Sequence, residues 1–307
     1  MGLKGKHLII PLIDSCLNVL ESIELCRGCS IIKLRNEYID RLNENEGVSG
    51  YYKKSIDGLT IGLSFTPTEI FPNEELSLVD SLKLAIFSCM VMRLTTGVPI
   101  DVPFWLDISD NGDLLDFEMT LVRTYRSGSK YTYPLDEGVA DERIKLLFNR
   151  HHELLDLAFK KKDQNRVIRA IEFASIGFQT YHVPTRLVNQ VTFLETLFTT
   201  SRHEITFQLA SRISWYLEHK GRPDKRENIF NIVKDIYNAR SQVVHGENLN
   251  NPTVGAKAKV DDAEELNSKV FCSILKNDHL KQFSMSEKRR SKQFKKLSLG
   301  LPSDFYQ

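Results

Sequence analysis

The spacing of apolar residues changes along the chain, and this change predicts two structural regions. Between residues 59 and 133, short apolar or alternating runs are separated by glycines and prolines, a pattern typical of strands and turns. Strands are predicted at 59–65, 102–108 and 117–125. Residues 74–94 contain no Gly or Pro and have apolar residues at helical spacing, so this region is predicted to be mixed α+β.

After Pro134 the apolar residues recur three and four positions apart, which indicates amphipathic helices. Pro184 and Pro223 lie near predicted helix starts, and Gly246 lies just past a predicted end. Predicted helices cover 141–162, 166–181, 185–200, 203–219, 226–245 and 261–276. Their lengths and short connections favour an antiparallel helical bundle.

These patterns predict an α+β protein in three parts. A mixed α+β domain is expected at 1–135, a helical domain at 140–280, and a basic, flexible tail at 281–307. Within the tail, residues 281–296 carry seven Lys or Arg and one Glu. Such a segment is either an arm that touches RNA or DNA, or an ordinary solvated run of charges.

Composition and charge narrow the class of protein but name no function. The chain has 307 residues, of which 41% are hydrophobic and 26% charged, and this excludes collagen-like, mucin-like and wholly disordered proteins. Residues 1–140 carry 13 Lys and Arg against 20 Asp and Glu, whereas residues 141–307 carry 28 against 20. A polyanion is therefore expected to bind the C-terminal half. The alternative is that this difference in net charge between the halves is chance variation.

The cysteine content and the apolar runs predict a cytoplasmic protein that has no membrane-spanning segment. The five cysteines are an odd number at irregular spacing, which favours a reducing compartment. The apolar stretch 8–13 is interrupted by Pro11, ends at Asp14 and lacks a cleavage site, so we do not expect a signal peptide. No apolar run approaches the roughly 20 residues that span a bilayer.

Cys26 and Cys29 form a single CxxC pair, which raises the alternative of a metal site. Zinc prefers four ligands, and no second pair exists, although Cys16 or His7 could contribute. We therefore expect no metal.

The segment His151-His152-Glu153 does not match the zinc-binding motif of metalloproteases, because it lacks a second histidine four positions after the first. These residues are predicted to lie on the surface of a helix. Walker A, dinucleotide-binding and GxSxG motifs are absent from the sequence, and no cofactor is expected.

The segment 229–246 carries the most informative chemistry. A guanidinium at Arg240 can clamp a phosphate, and an imidazole at His245 can transfer protons near neutral pH. Positions five apart are separated by about 140° and about 7.5 Å on a helix, so a second protomer would be needed to complete one site. Tyr237, Ser241 and His245 share a face, and Ser241 could orient the imidazole.

The same residues also allow a structural interpretation. A histidine at a helix end commonly interacts with the terminal carbonyls and the helix dipole, and an arginine on a polar face commonly meets water. An R-x4-H match is short enough to occur by chance.

The run Tyr237-x-x-Arg240-Ser241-x-x-Val244-His245-Gly246 resembles the signature of HEPN domains, specifically the Apea-like HEPN group of prokaryotic defence proteins. The resemblance covers roughly residues 140–280. The preceding predicted helix also resembles that group, through Glu204, Phe207, Leu209, Ala210 and Arg212.

The resemblance implies an all-α bundle that forms a homodimer and cleaves RNA (tRNA, mRNA or rRNA) without metal. Arg240 and His245 would be the catalytic residues, with attack by the 2′-hydroxyl leaving a 2′,3′-cyclic phosphate. Ser241 stands where active HEPN ribonucleases often carry Asn, His or Asp, although the Apea-like group commonly has Ser. Glu204 and Arg212 either support the site or form a solvated polar stripe.

The family analogy further implies antiviral defence or toxin-like growth arrest, with a protein partner or phage trigger engaging residues 1–135. One alternative is a catalytically silent HEPN module that binds nucleotides or mediates dimerisation. Another is a DNA-binding regulator that uses the basic tail.

Overall fold

The described residues form an α+β protein with two compact units. The first unit extends to Phe159 and contains the strands, and the second begins at Lys160 and is helical where it is described. This computed structural model describes residues 7–12, 22–44, 61–74, 76–97, 100, 102–109, 114–122, 143, 145–147, 150–160, 165–201, 203–218, 223–246, 252–299, 301 and 303–306.

Within the described part of the first unit, six strands form one antiparallel sheet in the order β2-β3-β4-β1-β5-β6. The strands are β1 (His7–Pro11), β2 (Ile23–Cys26), β3 (Cys29–Lys33), β4 (Ile61–Phe65), β5 (Val102–Ile108) and β6 (Leu114–Val122). Leu8 and Ile10 of β1 are fully buried, as is Leu63 of β4, so the middle of the sheet lies in a hydrophobic core.

Among the described residues, four helices accompany the sheet: α1 (Asn36–Glu44), α2 (Pro67–Ile70), α3 (Leu78–Thr96) and α4 (His151–Lys160). The Ser77 side chain caps α3 by accepting from the Asp80 amide at 3.1 Å, and Gly97 ends it in the left-handed conformation, at φ 75°. Because Ala85, Cys89 and Val91 are fully buried, α3 belongs to the core of this unit.

The strand predictions at 59–65, 102–108 and 117–125 correspond to β4, β5 and β6, and the helix prediction at 74–94 corresponds to α3. The prediction did not include the β2–β3 hairpin. Its two-residue turn requires Gly28 at φ 77°, and the register pairs Cys26 with Cys29.

Helix α4 corrects two predictions. His151 was expected on the surface, but it is fully buried, with Nε2 lying 3.0 Å from Ser88 Oγ and 3.6 Å from Cys29 Sγ. The Phe159 ring packs against Phe71 at a centroid distance of 5.0 Å. These contacts place α4 in the first unit, so the boundary between units falls at residues 159–160 rather than at 135–140.

The helical unit contains α5 (Arg166–Gln179), α6 (Val183–Phe198), α7 (Ile205–Leu217), α8 (Pro223–Val244), α9 (Pro252–Lys276), α10 (Leu280–Phe283) and α11 (Glu287–Ser298). The first four agree with the predicted helices within a few residues, whereas α9 begins nine residues earlier than predicted. Residues 141–150 are described only in part.

A buried polar network joins α6 to α9. Arg186 donates from Nε to Glu264 Oε1 at 2.6 Å, and Asn267 donates to Gln190 Oε1 at 2.8 Å. Gln190 and Asn267 are fully buried. Because a shift between the helices would leave these polar groups unpaired, the network fixes their relative position.

The C-terminal segment corrects a further prediction, because 281–307 is not a flexible tail where it is described. Phe294 of α11 and Phe305 are almost fully buried, and their stacked rings lie 5.2 Å apart. Phe283 and Phe305 both contact the ring of Tyr216 on α7, with centroids 5.3 and 5.6 Å away. Aromatic residues dispersed among the lysines thus complete the core of the helical unit.

Candidate functional site

The motif residues Tyr237, Arg240, Ser241 and His245 occupy the last turns of α8 and the residue that follows it. Helical hydrogen bonding continues to His245, whose amide donates to Ser241 O at 3.0 Å. Gly246 then adopts φ 70°, a left-handed conformation that ends the helix. His245 is exposed at this helix end, whereas Tyr237, Arg240 and Ser241 are half-buried.

Arg240 is tied to the neighbouring helix by an ion pair. Its Nη2 atom lies 3.5 Å from Oε2 of Glu195 on α6, and the two side chains are 23% and 18% exposed. Its Nε atom is buried and has no hydrogen-bond partner among the described residues. The guanidinium is therefore held in one place while part of its donor capacity remains unused.

Tyr237 completes a small cluster around this ion pair. The guanidinium carbon of Arg240 lies 5.7 Å from the centre of the Tyr237 ring, within the range of a cation–π contact. Burial raises the pKa of Glu195, and the positive charge of Arg240 offsets part of that rise. Burial and the Glu195 carboxylate raise the pKa of Tyr237, so its phenol stays protonated and can donate a hydrogen bond.

The structure brings Tyr237 and Arg240 together but does not join Ser241 to His245 through their side chains. The hydrogen bond between Ser241 and His245 joins main-chain atoms. Since His245 follows Arg240 by five positions, the two side chains leave α8 in different directions. One copy of the chain therefore presents the guanidinium and the imidazole separately.

Arg212 and Glu204 do not join the cluster of Glu195, Tyr237 and Arg240. Arg212 donates to Phe198 O, and to Thr200 Oγ1 at 2.9 Å, so it caps the carboxyl end of α6. Burial lowers its pKa to about 10. Glu204 is exposed immediately before α7, at φ 50°, and its main-chain carbonyl accepts from the Gln208 amide at 2.9 Å.

Glu195 was not identified from the sequence. A signal was present, because it is the acidic residue in the otherwise apolar and hydroxylated run 191–198 at the end of a predicted helix. A charged residue in such a run is seldom buried without a partner. The identity of that partner depended on how α6 and α8 pack.

The cysteine pair lies in the first unit and shows no metal-ligand geometry. In the part of the chain that the structure describes, no group of three or more His, Cys, Asp or Glu side chains is arranged to hold a metal ion. Burial raises the pKa of the Cys29 thiol, and His7 bonds instead to Thr66 Oγ1 through Nδ1 at 2.6 Å. Cys16 lies outside the described residues.

Comparisons with protein-family models, curated proteins and solved structures find no match for this chain. The HEPN interpretation thus rests on the motif residues and their surroundings. None of the described helices is long and apolar enough to cross a membrane.

Proposed function

We propose that the helical unit is a metal-independent endoribonuclease of the HEPN type. The observation that supports this best is the contrast between Arg240, which Glu195 and Tyr237 hold in place, and His245, which is exposed at the end of the same helix. A fixed cation and an accessible imidazole are the groups that phosphodiester cleavage requires.

In the proposed reaction, the RNA 2′-oxygen attacks the adjacent phosphorus, and the bond from phosphorus to the 5′-oxygen breaks. One imidazole accepts the 2′-hydroxyl proton and another delivers a proton to the departing 5′-oxygen. Arg240 stabilises the charge that develops on the phosphoryl oxygens. The products carry a 2′,3′-cyclic phosphate and a 5′-hydroxyl.

The two imidazoles come from two copies of the chain in this proposal. Apolar side chains exposed on α7 and α8 support such a homodimer: Phe207 is 60% exposed and packs on Phe230, and Val244 is 52% exposed. Phe230, Tyr237, Ser241 and Val244 recur at helical spacing and so share one face of α8. Pairing that face would bury apolar surface and gather both motifs.

The broader role is proposed by analogy. Cleavage of tRNA, mRNA or rRNA in the cytoplasm would arrest growth, consistent with antiviral defence or toxin-like action. A protein partner or phage component would then engage the N-terminal region to control the nuclease.

A catalytically silent module that binds nucleotides or mediates dimerisation is the second candidate. The Arg240–Glu195 ion pair favours it, because a guanidinium already paired with a carboxylate has less capacity to bind phosphate.

Incubation of total RNA and a tRNA pool with the full chain in EDTA tests these candidates. Wild type is compared with Arg240→Ala, His245→Ala and a matched control, Gln242→Ala, which alters an exposed residue on the same turn. We expect cleavage with cyclic phosphate ends by wild type and Gln242→Ala alone. Equal cleavage by all four proteins would refute the assigned site, and no cleavage by any, with or without cell extract from infected cells, would favour the silent module.

Mixing the two inactive variants tests the composite site. Dimers that contain one Arg240→Ala and one His245→Ala chain retain one intact copy of each group. Because the proposed reaction uses an imidazole from each copy, we expect this mixture to stay inactive, and we expect an excess of His245→Ala to inhibit wild type by forming dimers with a single imidazole. A monomeric wild type in analytical ultracentrifugation would contradict this arrangement.

A further inference from the structure

Helix α11 has one face in the core and one face of lysines. Phe294 and Leu297 are buried, whereas Lys288, Lys292 and Lys295 are exposed. The three lysines are spaced by four and three positions, so they form a line along the helix, here named the lysine face. None of the three has an acidic partner among the described residues.

The lysine face borders a surface cavity of about 570 Å³. The cavity is lined by Thr200, Glu287, Lys288, Ser291, Lys292 and Lys295. Among these described residues, three ammonium groups and two hydroxyl groups accompany one carboxylate, so hydrogen-bond donors predominate. This donor set suits phosphate oxygens.

Beneath this surface, arginines converge on the carboxyl end of α6. Arg290 Nη2 donates to Thr199 O at 2.9 Å, and Arg166 Nη1 donates to Thr196 O at 3.0 Å. The Arg212 guanidinium, also bonded to this end of α6, lies 5.0 Å from the centre of the Phe294 ring. The helix terminus supplies only partial negative charge to these cations.

Positive charge is in excess in this cluster. Arg290 is fully buried, and its Nε and Nη1 atoms have no hydrogen-bond partner among the described residues. Among the described residues, the acid that borders the cluster is Glu287, which lies 3.9 Å from Arg166 and is 60% exposed. Burial, with a further contribution from Arg166, lowers the pKa of Arg290 to about 9, so the cation remains at neutral pH.

We propose that the lysine face and its cavity bind the phosphate backbone of RNA, and that the buried arginines strengthen the positive potential there. The choice of RNA rests on the proposed function. The apolar side of α11 is buried in the core, so the helix has no free apolar face to insert into a lipid surface.

The lysine face lies near the candidate catalytic arginine. Thr200 lines the cavity and follows Glu195 by five residues, so at most about 11 Å of chain separates the cavity from the residue that pairs with Arg240. An RNA strand on the lysine face would pass close to the candidate catalytic arginine.

Binding of a labelled 20-nucleotide RNA, followed by fluorescence anisotropy over a range of salt concentrations, tests the proposal. All proteins carry His245→Ala so that the probe stays intact. The test variant replaces Lys288, Lys292 and Lys295 with Gln. The control makes the same charge change at Lys33, Lys83 and Lys145 in the first unit, and thermal unfolding checks that each variant is folded.

We expect the test variant to bind RNA at least tenfold more weakly at low salt, and the slope of log affinity against log salt to fall by about 2. The control variant should bind like its parent. Equal binding by test and control variants would overturn the proposal. Stronger binding to duplex DNA or to vesicles containing phosphatidylserine than to RNA would also overturn it.

This test is separable from that of the nuclease. If wild type cleaves RNA while the lysine variant binds RNA normally, the binding site is refuted and the proposed function stands. If the lysines govern RNA binding but wild type does not cleave, the catalytic proposal fails and the binding site stands.

Discussion

The carboxylate of Glu195 lies 3.5 Å from the guanidinium of Arg240, and this contact joins the motif on α8 to helix α6. Both side chains are largely buried, so neither charge is fully solvated. The ion pair fixes the position of Arg240 and also limits what that arginine can bind. Its energetic importance can be measured independently of any catalytic activity.

Glu195→Gln is expected to lower the free energy of unfolding by about 1–2 kcal/mol, because it leaves a partly buried guanidinium without its counter-charge. Urea denaturation measures this change. The control is Asp235→Asn, which removes a carboxylate that is 61% exposed and 3.5 Å from Lys259. Lys259 retains Asp262 at 3.6 Å, so the control should change stability by less than about 0.5 kcal/mol. Equal effects of the two substitutions would contradict a stabilising role for the Glu195 pair.

Phe294→Ala is expected to destabilise the helical unit by about 3–4 kcal/mol, because it opens a cavity among buried aromatic rings. Urea denaturation followed by circular dichroism gives the change. Leu299→Ala, at a side chain 62% exposed just after α11, is the control and should cost under about 0.5 kcal/mol. A negligible effect of Phe294→Ala would mean that the C-terminal segment is not part of the core.

Acidification is expected to destabilise the first unit through His151. Burial lowers the pKa of His151 to about 4 from its ordinary value of 6.5, so the unfolded chain takes up a proton at a higher pH than the folded chain. The contribution of His151 to the free energy of unfolding is fully present above pH 6.5. It decreases by about 3 kcal/mol in total as the pH falls towards 4.

The fluorescence of Trp105 reports on this unit if Trp215, the other tryptophan, is replaced by Phe. Urea titrations at pH 7, 6, 5 and 4.5 give the dependence. His151→Gln should flatten it relative to wild type, whereas His152→Gln, which removes only the smaller, electrostatic contribution to the lowered pKa of His151, should keep most of it. The same pH dependence in both variants would assign it to other groups.

Two glycines with positive φ should respond differently to alanine. At Gly28, a Cβ atom would lie 2.7 Å from Glu69 Cβ and 2.9 Å from Thr66 O, at φ 77°. At Gly246, where φ is 70°, an added Cβ atom would have no atom of the described residues within 4 Å apart from its chain neighbours. Gly28→Ala should therefore cost more than about 2 kcal/mol, and Gly246→Ala about 1 kcal/mol, in urea denaturation. A larger cost at Gly246 would show that the end of α8 has contacts beyond its backbone conformation.

Elements with strong local signals could be located without the structure. The helical spacing of apolar residues located α5–α8, and Gly246 marked the end of α8 because a left-handed residue favours glycine. The same local reasoning found β4–β6 and α3. It also singled out Arg240 and His245, whose placement on one helix followed from their spacing.

Which polar and charged residues are buried, and what they contact, depends on how the elements pack. His151 and Arg290 lie in polar or charged segments, and nothing local distinguishes them from surface residues, whereas the run around Glu195 indicates burial but not the partner. Their burial depends on packing with Ser88, with the end of α6 and with Arg240. Such contacts join residues distant in sequence, and their energies depend on desolvation that only the folded chain imposes.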